Sequence, residues 1–194
     1  MWTGTALLII TTSALTLDRA RSTAAHVVGP PPAHTGGFNE PTCAACHSEF
    51  SLNQQTDALQ VTGLPNRYAP GGQYIIEVAL FGNDMVVAGF QASIRFAGGT
   101  MHGQNAGSAA PLDNKVAVIR HPDTGVDYIQ HTGTGIGVVQ SGAAHWGFVW
   151  TAPHSTEPLE LSVAANDANG DNSPLGDFVY ATETRTSGES ERGR

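Results

Sequence analysis

The sequence predicts an all-β protein, built as a two-sheet antiparallel sandwich of about seven short strands. Charged residues make up only 13% of the 194 residues, whereas Gly and Pro number 23 and 11. This composition is typical of short strands joined by tight turns. Apolar side chains also alternate with small or polar ones in runs of five to eleven residues, which is the period of a strand with one buried face. No long helical period occurs between residues 63 and 182.

The clearest alternation lies in residues 146–150, where Trp146, Phe148 and Trp150 fall on one face. Aromatic side chains bury a large apolar area, so we expect this face to pack in the core. A second alternating set consists of Phe90, Ala92, Ile94 and Phe96. The predicted strands are 73–81, 86–96, 115–120, 128–131, 146–150, 159–165 and 177–181.

The two ends of the chain are predicted to lie outside the sandwich, which we place at residues 63–182. Residues 1–25 are expected to be a signal peptide, because the apolar run over 6–17 is too short to span a bilayer comfortably and small residues follow it. No Lys or Arg precedes that run, so an uncleaved anchor is the alternative. The polar residues 183–194 are predicted to be a disordered tail. No other segment is apolar enough to cross a membrane.

The net charge of −8 narrows the classes of partner. A nucleic-acid phosphate backbone requires clustered basic side chains, and this sequence has no such cluster. An anionic membrane surface is disfavoured for the same reason. An acidic surface suits a basic protein partner or simple solubility.

Residues 26–62 are predicted to form an extended arm rich in Pro and Gly. Three consecutive prolines at 30–32 remove backbone donors and fix φ, which disfavours both helices and strand ladders. A short helix is expected later in the arm, within residues 48–60.

The arm contains the motif that carries chemistry, Cys43-Ala44-Ala45-Cys46-His47. Two thiols at this spacing can each form a thioether with one vinyl group of a haem, and the adjoining histidine then binds the iron. We therefore predict one covalent haem c, anchored by Cys43 and Cys46, with His47 as the proximal axial ligand. Such attachment takes place outside the cytoplasm, in agreement with the predicted leader.

Other interpretations of the two cysteines remain open. A thioredoxin-like redox pair or a local disulfide also uses CxxC, although a redox pair normally opens a helix in a βαβ unit. A structural zinc site would need two further ligands, and the sequence has no second CxxC and no HxxxH.

The sixth haem ligand is less well specified. We favour His131, at the end of a predicted strand, over His34 in the arm and over Met101 or His102 in a Gly-rich loop. The choice rests on ligand type and loop placement. An iron without a sixth protein ligand is a further alternative.

The segment GPPPAHTGGFNEPTCAACH resembles the entry to exported bacterial proteins with a choice-of-anchor V domain, a relative of the reeler (reelin-type) β-sandwich. The resemblance spans roughly residues 29–182 and implies an Ig-like, reeler-like sandwich at the cell surface or in the periplasm. It implies no firm molecular activity. The chain lacks an evident C-terminal sorting signal of that family. Further matching pieces are YAPG at 68–71, GFQ at 89–91, YIQHT at 128–132, WGFVWTAP at 146–153, ANDANG at 165–170 and GDFVY at 176–180.

Two functions follow from these observations. The first is an extracytoplasmic monohaem cytochrome, an electron carrier and not an enzyme, that exchanges electrons with a redox partner protein in solution or bound to a membrane. The second is a structural or adhesion module of the cell surface or of a larger complex, in which the haem is secondary or absent. Haem-based catalysis or gas sensing is a third hypothesis, and it requires an open iron position.

Overall fold

A computed structural model describes residues 26–138 and 142–190. The predicted signal peptide, residues 1–25, lies outside the described residues. Two 3₁₀ helices, Cys43–Ala45 and Gly99–Met101, accompany ten strands in the described part of the chain. The strands are β1 (Leu59–Thr62), β2 (Arg67–Tyr68), β3 (Gln73–Phe81), β4 (Val87–Phe96), β5 (Ser108–Pro111), β6 (Val116–Arg120), β7 (Asp127–His131), β8 (Ala143–Thr151), β9 (Leu159–Ala168) and β10 (Phe178–Gly188).

The strands form two sheets that pack face to face. The smaller sheet has the order β1-β3-β8-β5 and the larger one β2-β10-β9-β4-β7-β6. All pairings are antiparallel except the short parallel contact between β10 and β2. The predicted all-β sandwich is therefore confirmed. None of the helices in the described ranges is long and apolar enough to cross a membrane.

The core lies between the two sheets and follows the alternation of the sequence. Trp146, Phe148 and Trp150 of β8 are all buried, and both indole nitrogens donate hydrogen bonds to backbone carbonyls. From the opposite sheet, β4 contributes the second alternating set, whose Phe90 ring lies 4.8 Å from that of Trp146. The prediction that the alternating face of β8 packs in the core is thus confirmed.

All seven predicted strands are present, and three short ones were missed. β1, β2 and β5 have only two to four residues each and owe their conformation to pairing with longer strands. Strand β1 also lies within the segment predicted to be an irregular arm.

The structure corrects the prediction of a disordered tail from residue 183, because β10 continues to Gly188. Its later residues pair with β9 and then with β2, and Thr186 is buried. These partners are distant in sequence, so local composition did not reveal them. Residues 191–194 lie outside the described range.

The helix expected within residues 48–60 is also wrong. The segment runs as turns along β10, where the Asn53 side chain exchanges hydrogen bonds of 2.8 and 3.0 Å with the backbone of Ala181. Asn53 and Asp57 have φ values of 59° and 62°. This left-handed conformation interrupts any helix.

The arm covers the outer face of the larger sheet, and this position creates the site. That face is polar yet buried, and it includes Gln91, Ser93, Arg95, Gln130, Glu160 and Ser162. Gly37 lies so close to the sheet that a Cβ atom would stand 2.0 Å from the Ser162 hydroxyl oxygen. The arm is therefore seated directly on β4, β7 and β9.

Candidate functional site

An apolar cleft opens where the arm meets the ends of β4, β7 and β9. Its volume is about 140 Å³. The arm supplies both cysteines and His47, while the sheet supplies a floor of small and apolar residues. The residues that line it are His26, Val27, Pro30, Pro31, His34, Cys43, Cys46, His47, Val87, Ala88, Gly89, Phe90, His131, Ile136, Asn166 and Ala168. An apolar cleft with a few convergent polar groups is typical of a cofactor site.

The CxxCH motif forms a tight, hydrogen-bonded turn at one wall of this cleft. Thr42 precedes the 3₁₀ helix Cys43–Ala45, and its hydroxyl accepts a hydrogen bond of 3.2 Å from the Ala44 N–H. The backbone N–H groups of Cys46 and His47 both donate to the Cys43 carbonyl. The turn thus brings the thiols and the imidazole to a single wall, with Cys43 half-buried and Cys46 exposed.

His47 is oriented by a carboxylate from the far end of the chain. Its Nδ1 lies 2.6 Å from Oδ2 of Asp177, a residue only 1% exposed. The other carboxylate oxygen accepts a 3.1 Å hydrogen bond from the Asn169 N–H. With Nδ1 donating to a carboxylate, Nε2 of the neutral ring is left as the unprotonated nitrogen, the one that can accept a hydrogen bond or bind a metal. This pairing is the one by which proteins hold metal-binding histidines.

Asn166 completes the environment of His47. Its Nδ2 lies 3.4 Å from both His47 Nδ1 and Asp177 Oδ2, whereas its Oδ1 is buried without a hydrogen-bond partner among the described residues. Sequence reasoning missed both Asn166 and Asp177 as site residues. They lie in the ANDANG and GDFVY pieces, which follow His47 by more than a hundred residues.

The cysteines differ from those of a thiol redox pair. Both thiols are free, and burial raises the pKa of the Cys43 thiol to about 12. A nucleophilic redox cysteine requires the opposite, a thiolate stabilised by a lowered pKa. The cleft does not supply this stabilisation to Cys43.

His131, the favoured sixth ligand, lines the same cleft but has both ring nitrogens occupied. Nδ1 accepts a 3.0 Å hydrogen bond from the Phe90 N–H, and Nε2 lies 3.1 Å from the His26 carbonyl oxygen. The imidazole thus bonds to the edge of β4 where the β4–β7 ladder ends. Its burial lowers the pKa of His131 and keeps the ring neutral.

The other predicted candidates for the sixth ligand do not all lie in the cleft. His34 lines the cleft beside the CxxCH turn. By contrast, His102 lies in a separate polar groove with Glu40 and Arg95, where its ring is 5.3 Å from that of Phe38. Met101 packs against the sandwich core. Neither Met101 nor His102 is among the residues that line the cleft.

No group of three or more His, Cys, Asp and Glu side chains in the described ranges is arranged to hold a metal ion directly. An axially bound haem does not require such a group, because its porphyrin supplies the remaining ligands. Whether the cleft suits a haem therefore depends on its pair of thiols and its oriented imidazoles.

Comparison with solved structures finds reeler-like sandwiches. The reelin-N domain of F-spondin is similar with 12% identity and a TM-score of 0.49, over 76% of this chain and 97% of that one. A human F-spondin reeler domain has 13% identity and a TM-score of 0.44, over 68% and 88%. A cohesin module from a Clostridium perfringens family 33 glycoside hydrolase has 14% identity and a TM-score of 0.40, over 69% and 100%. No family model and no curated protein matches the chain.

Proposed function

We propose that this chain is an extracytoplasmic monohaem c-type cytochrome that transfers electrons. The observation that carries the proposal is the cleft itself, in which the two thiols of CxxCH and an imidazole held by a buried carboxylate line one apolar wall.

The residues present fit a covalent haem. Cys43 and Cys46 would hold it by thioethers, and His47 would bind its iron through Nε2. The lining also includes Val87, Ile136 and Ala168, whose apolar side chains suit the apolar faces of a porphyrin. Haem, when bound, supplies a reversible one-electron couple, whereas the protein supplies ligation, orientation and an apolar surround.

Electron transfer is supported by the exposure of the site. Cys46 is exposed at the mouth of the cleft, so the edge of the group attached there would face solvent and a partner. The acidic chain, with a net charge of −8, suits a basic redox partner that is steered by charge. We place this partner outside the cytoplasm, either in solution or bound to a membrane.

The test is a pyridine haemochrome spectrum of the full chain exported from a host with haem-attachment machinery. We expect a c-type spectrum and haem that stays with the denatured polypeptide, in a ratio of one haem per chain. The matched control is the double variant Cys43→Ala/Cys46→Ala, which should carry no covalent haem and yet give the same far-UV circular dichroism.

Haem-free wild-type protein from a host that loads a known cytochrome would overturn the proposal. The chain would then be better regarded as a structural or adhesion module, the second function expected from the sequence. Binding to a cell surface that survives the double cysteine substitution would favour that second function directly.

A further inference from the structure

His34 is held in an orientation that no other histidine of the cleft shares except His47. Its Nδ1 lies 3.1 Å from the Pro31 carbonyl oxygen and 3.2 Å from that of Pro32. Carbonyl oxygens can only accept, so Nδ1 carries the proton and Nε2 is the unprotonated nitrogen. Nε2 has no hydrogen-bond partner among the described residues.

The sequence of the arm produces this orientation. Three consecutive prolines hold the backbone extended, so the carbonyls of residues 31 and 32 are not drawn into a helix and can accept from the imidazole. Ala33 then adopts a φ of 69°, a left-handed conformation that costs a β-carbon-bearing residue about 1 kcal/mol. This turn brings the imidazole of His34 back over the two carbonyls that precede it.

The larger sheet fixes the turn in place. The His34 N–H donates a 2.7 Å hydrogen bond to Oε1 of Gln91, and Nε2 of Gln91 donates to the Pro31 carbonyl at 3.0 Å. Gln91 is fully buried in the centre of β4. The backbone of residues 31–34 is therefore anchored to a rigid strand.

The competing histidines of the cleft are less suitable. To bind iron through Nε2, His131 would lose its hydrogen bond to the His26 carbonyl, worth about 1 kcal/mol. Its Nδ1 would then carry the proton and donate to the Phe90 carbonyl at 3.2 Å, which would leave the buried Phe90 N–H without its acceptor. His26 lines the cleft as well, but it is exposed, and no hydrogen bond in the described part of the chain orients its ring.

We propose that His34 is the second axial ligand, binding through Nε2 in the haem-loaded protein, and that His131 is a structural residue. This inference rests on the proposed function, since it requires the haem that Cys43, Cys46 and His47 would hold. It assigns bis-histidine ligation and a low-spin iron, which suits electron transfer and gives a lower potential than His/Met ligation.

The experiment compares the wild type with His34→Ala and His34→Met, each first shown by haemochrome to carry one covalent haem. The wild type should give bis-histidine, low-spin electron paramagnetic resonance and optical spectra. His34→Ala should become high-spin and recover the low-spin spectrum with added imidazole. Its ferrous form should bind carbon monoxide about tenfold more tightly or better, since no internal ligand then competes.

His34→Met keeps a ligand at the same position, so it tests the assignment even if the alanine variant misfolds. It should remain low-spin, acquire the thioether charge-transfer band and show a higher midpoint potential. The matched control is His26→Ala, which should retain the wild-type spectra.

An unchanged low-spin spectrum in His34→Ala, or its loss in His26→Ala instead, would overturn the assignment. So would a wild-type iron that is already five-coordinate. Each of these results is obtained on protein with covalent haem, so the proposed function would survive them. Absence of haem from the wild type would instead overturn both the ligand assignment and the proposed function.

Discussion

At the scale of single residues, hydrogen bonding divides the histidines of the cleft into two kinds. His47 and His34 each have Nδ1 occupied by an acceptor, a carboxylate in one case and backbone carbonyls in the other. His131 has both nitrogens occupied and is buried. A metal can compete only for the first kind without breaking a hydrogen bond. Residue type alone does not distinguish them, and the sequence favours His131 because it ends a predicted strand.

Asp177 is expected to tune the iron through His47, and Asp177→Asn tests this. The amide oxygen can still accept from Nδ1, but the negative charge that makes the imidazole a stronger donor is lost. The midpoint potential should rise by roughly 60 mV, which corresponds to a tenfold change in a one-electron equilibrium. Spectroelectrochemical titration of the haem-loaded protein measures the change.

Asp171→Asn is the matched control on the same loop, because Asp171 is exposed and its carboxylate accepts hydrogen bonds from Asn169 and Ser173 rather than from His47. Its potential should stay at the wild-type value. Equal potentials for Asp177→Asn and the wild type would show that this carboxylate does not act on the iron.

At the scale of elements, the arm is attached to the sandwich by a buried ionic cluster. Glu40 of the arm forms an ion pair with Arg95 of β4 and accepts a 2.5 Å hydrogen bond from the Tyr128 hydroxyl. The Arg95 guanidinium also lies over the rings of Phe38 and Tyr128, 4.7 and 5.3 Å from their centroids. Burial and the bond to Glu40 raise the pKa of Tyr128, so its hydroxyl remains a donor.

Glu40→Gln should loosen the arm without unfolding the sandwich. It leaves the Arg95 charge buried and unpaired, which costs about 3 kcal/mol or more when a buried pair is broken. Hydrogen exchange should show lost protection in residues 30–47 while β8 and β9 stay protected. Arg120→Gln, which breaks the exposed Arg120–Asp127 pair, should leave the stability close to that of the wild type, because exposed ion pairs contribute little. Unchanged protection of the arm in Glu40→Gln would contradict this role for the cluster.

The sequence predicted the elements well and their mutual placement poorly. Alternation identified β3, β4 and β8 because the buried face of each strand is recorded in its own residues. The CxxCH motif was recognisable for the same reason, since all its parts are adjacent. By contrast, Asp177 and His47 are 130 residues apart in the sequence. They meet because the pairing of β10 with β9 places Asp177 beside the arm. Nothing local to β4 indicates that the arm covers its polar outer face.

At the scale of the whole molecule, acidic residues gather close to the site. Asp167 is only 6% exposed, and burial, followed by the charges of Asp177 and Asp84, raises the pKa of its carboxyl to about 6. The fold is thus destabilised whenever Asp167 is ionised. The folded state binds this proton more tightly than the unfolded state, in which the pKa is close to 3.8. Stability contributed by Asp167 is therefore present at low pH and lost as the pH rises through about 4 to 6.

Asp167→Asn should remove this loss, since the amide cannot ionise. The free energy of unfolding of the variant should match the wild type near about pH 4 and exceed it by up to roughly 3 kcal/mol near pH 8, the equivalent of a two-unit shift. Urea unfolding at the two pH values gives the difference. Subtracting the wild type cancels the opposite effect of His131, whose lowered pKa destabilises the fold at low pH. Asp113→Asn, at an exposed position, serves as the control. If Asp167→Asn raised the free energy of unfolding equally at both pH values, packing rather than ionisation would be responsible.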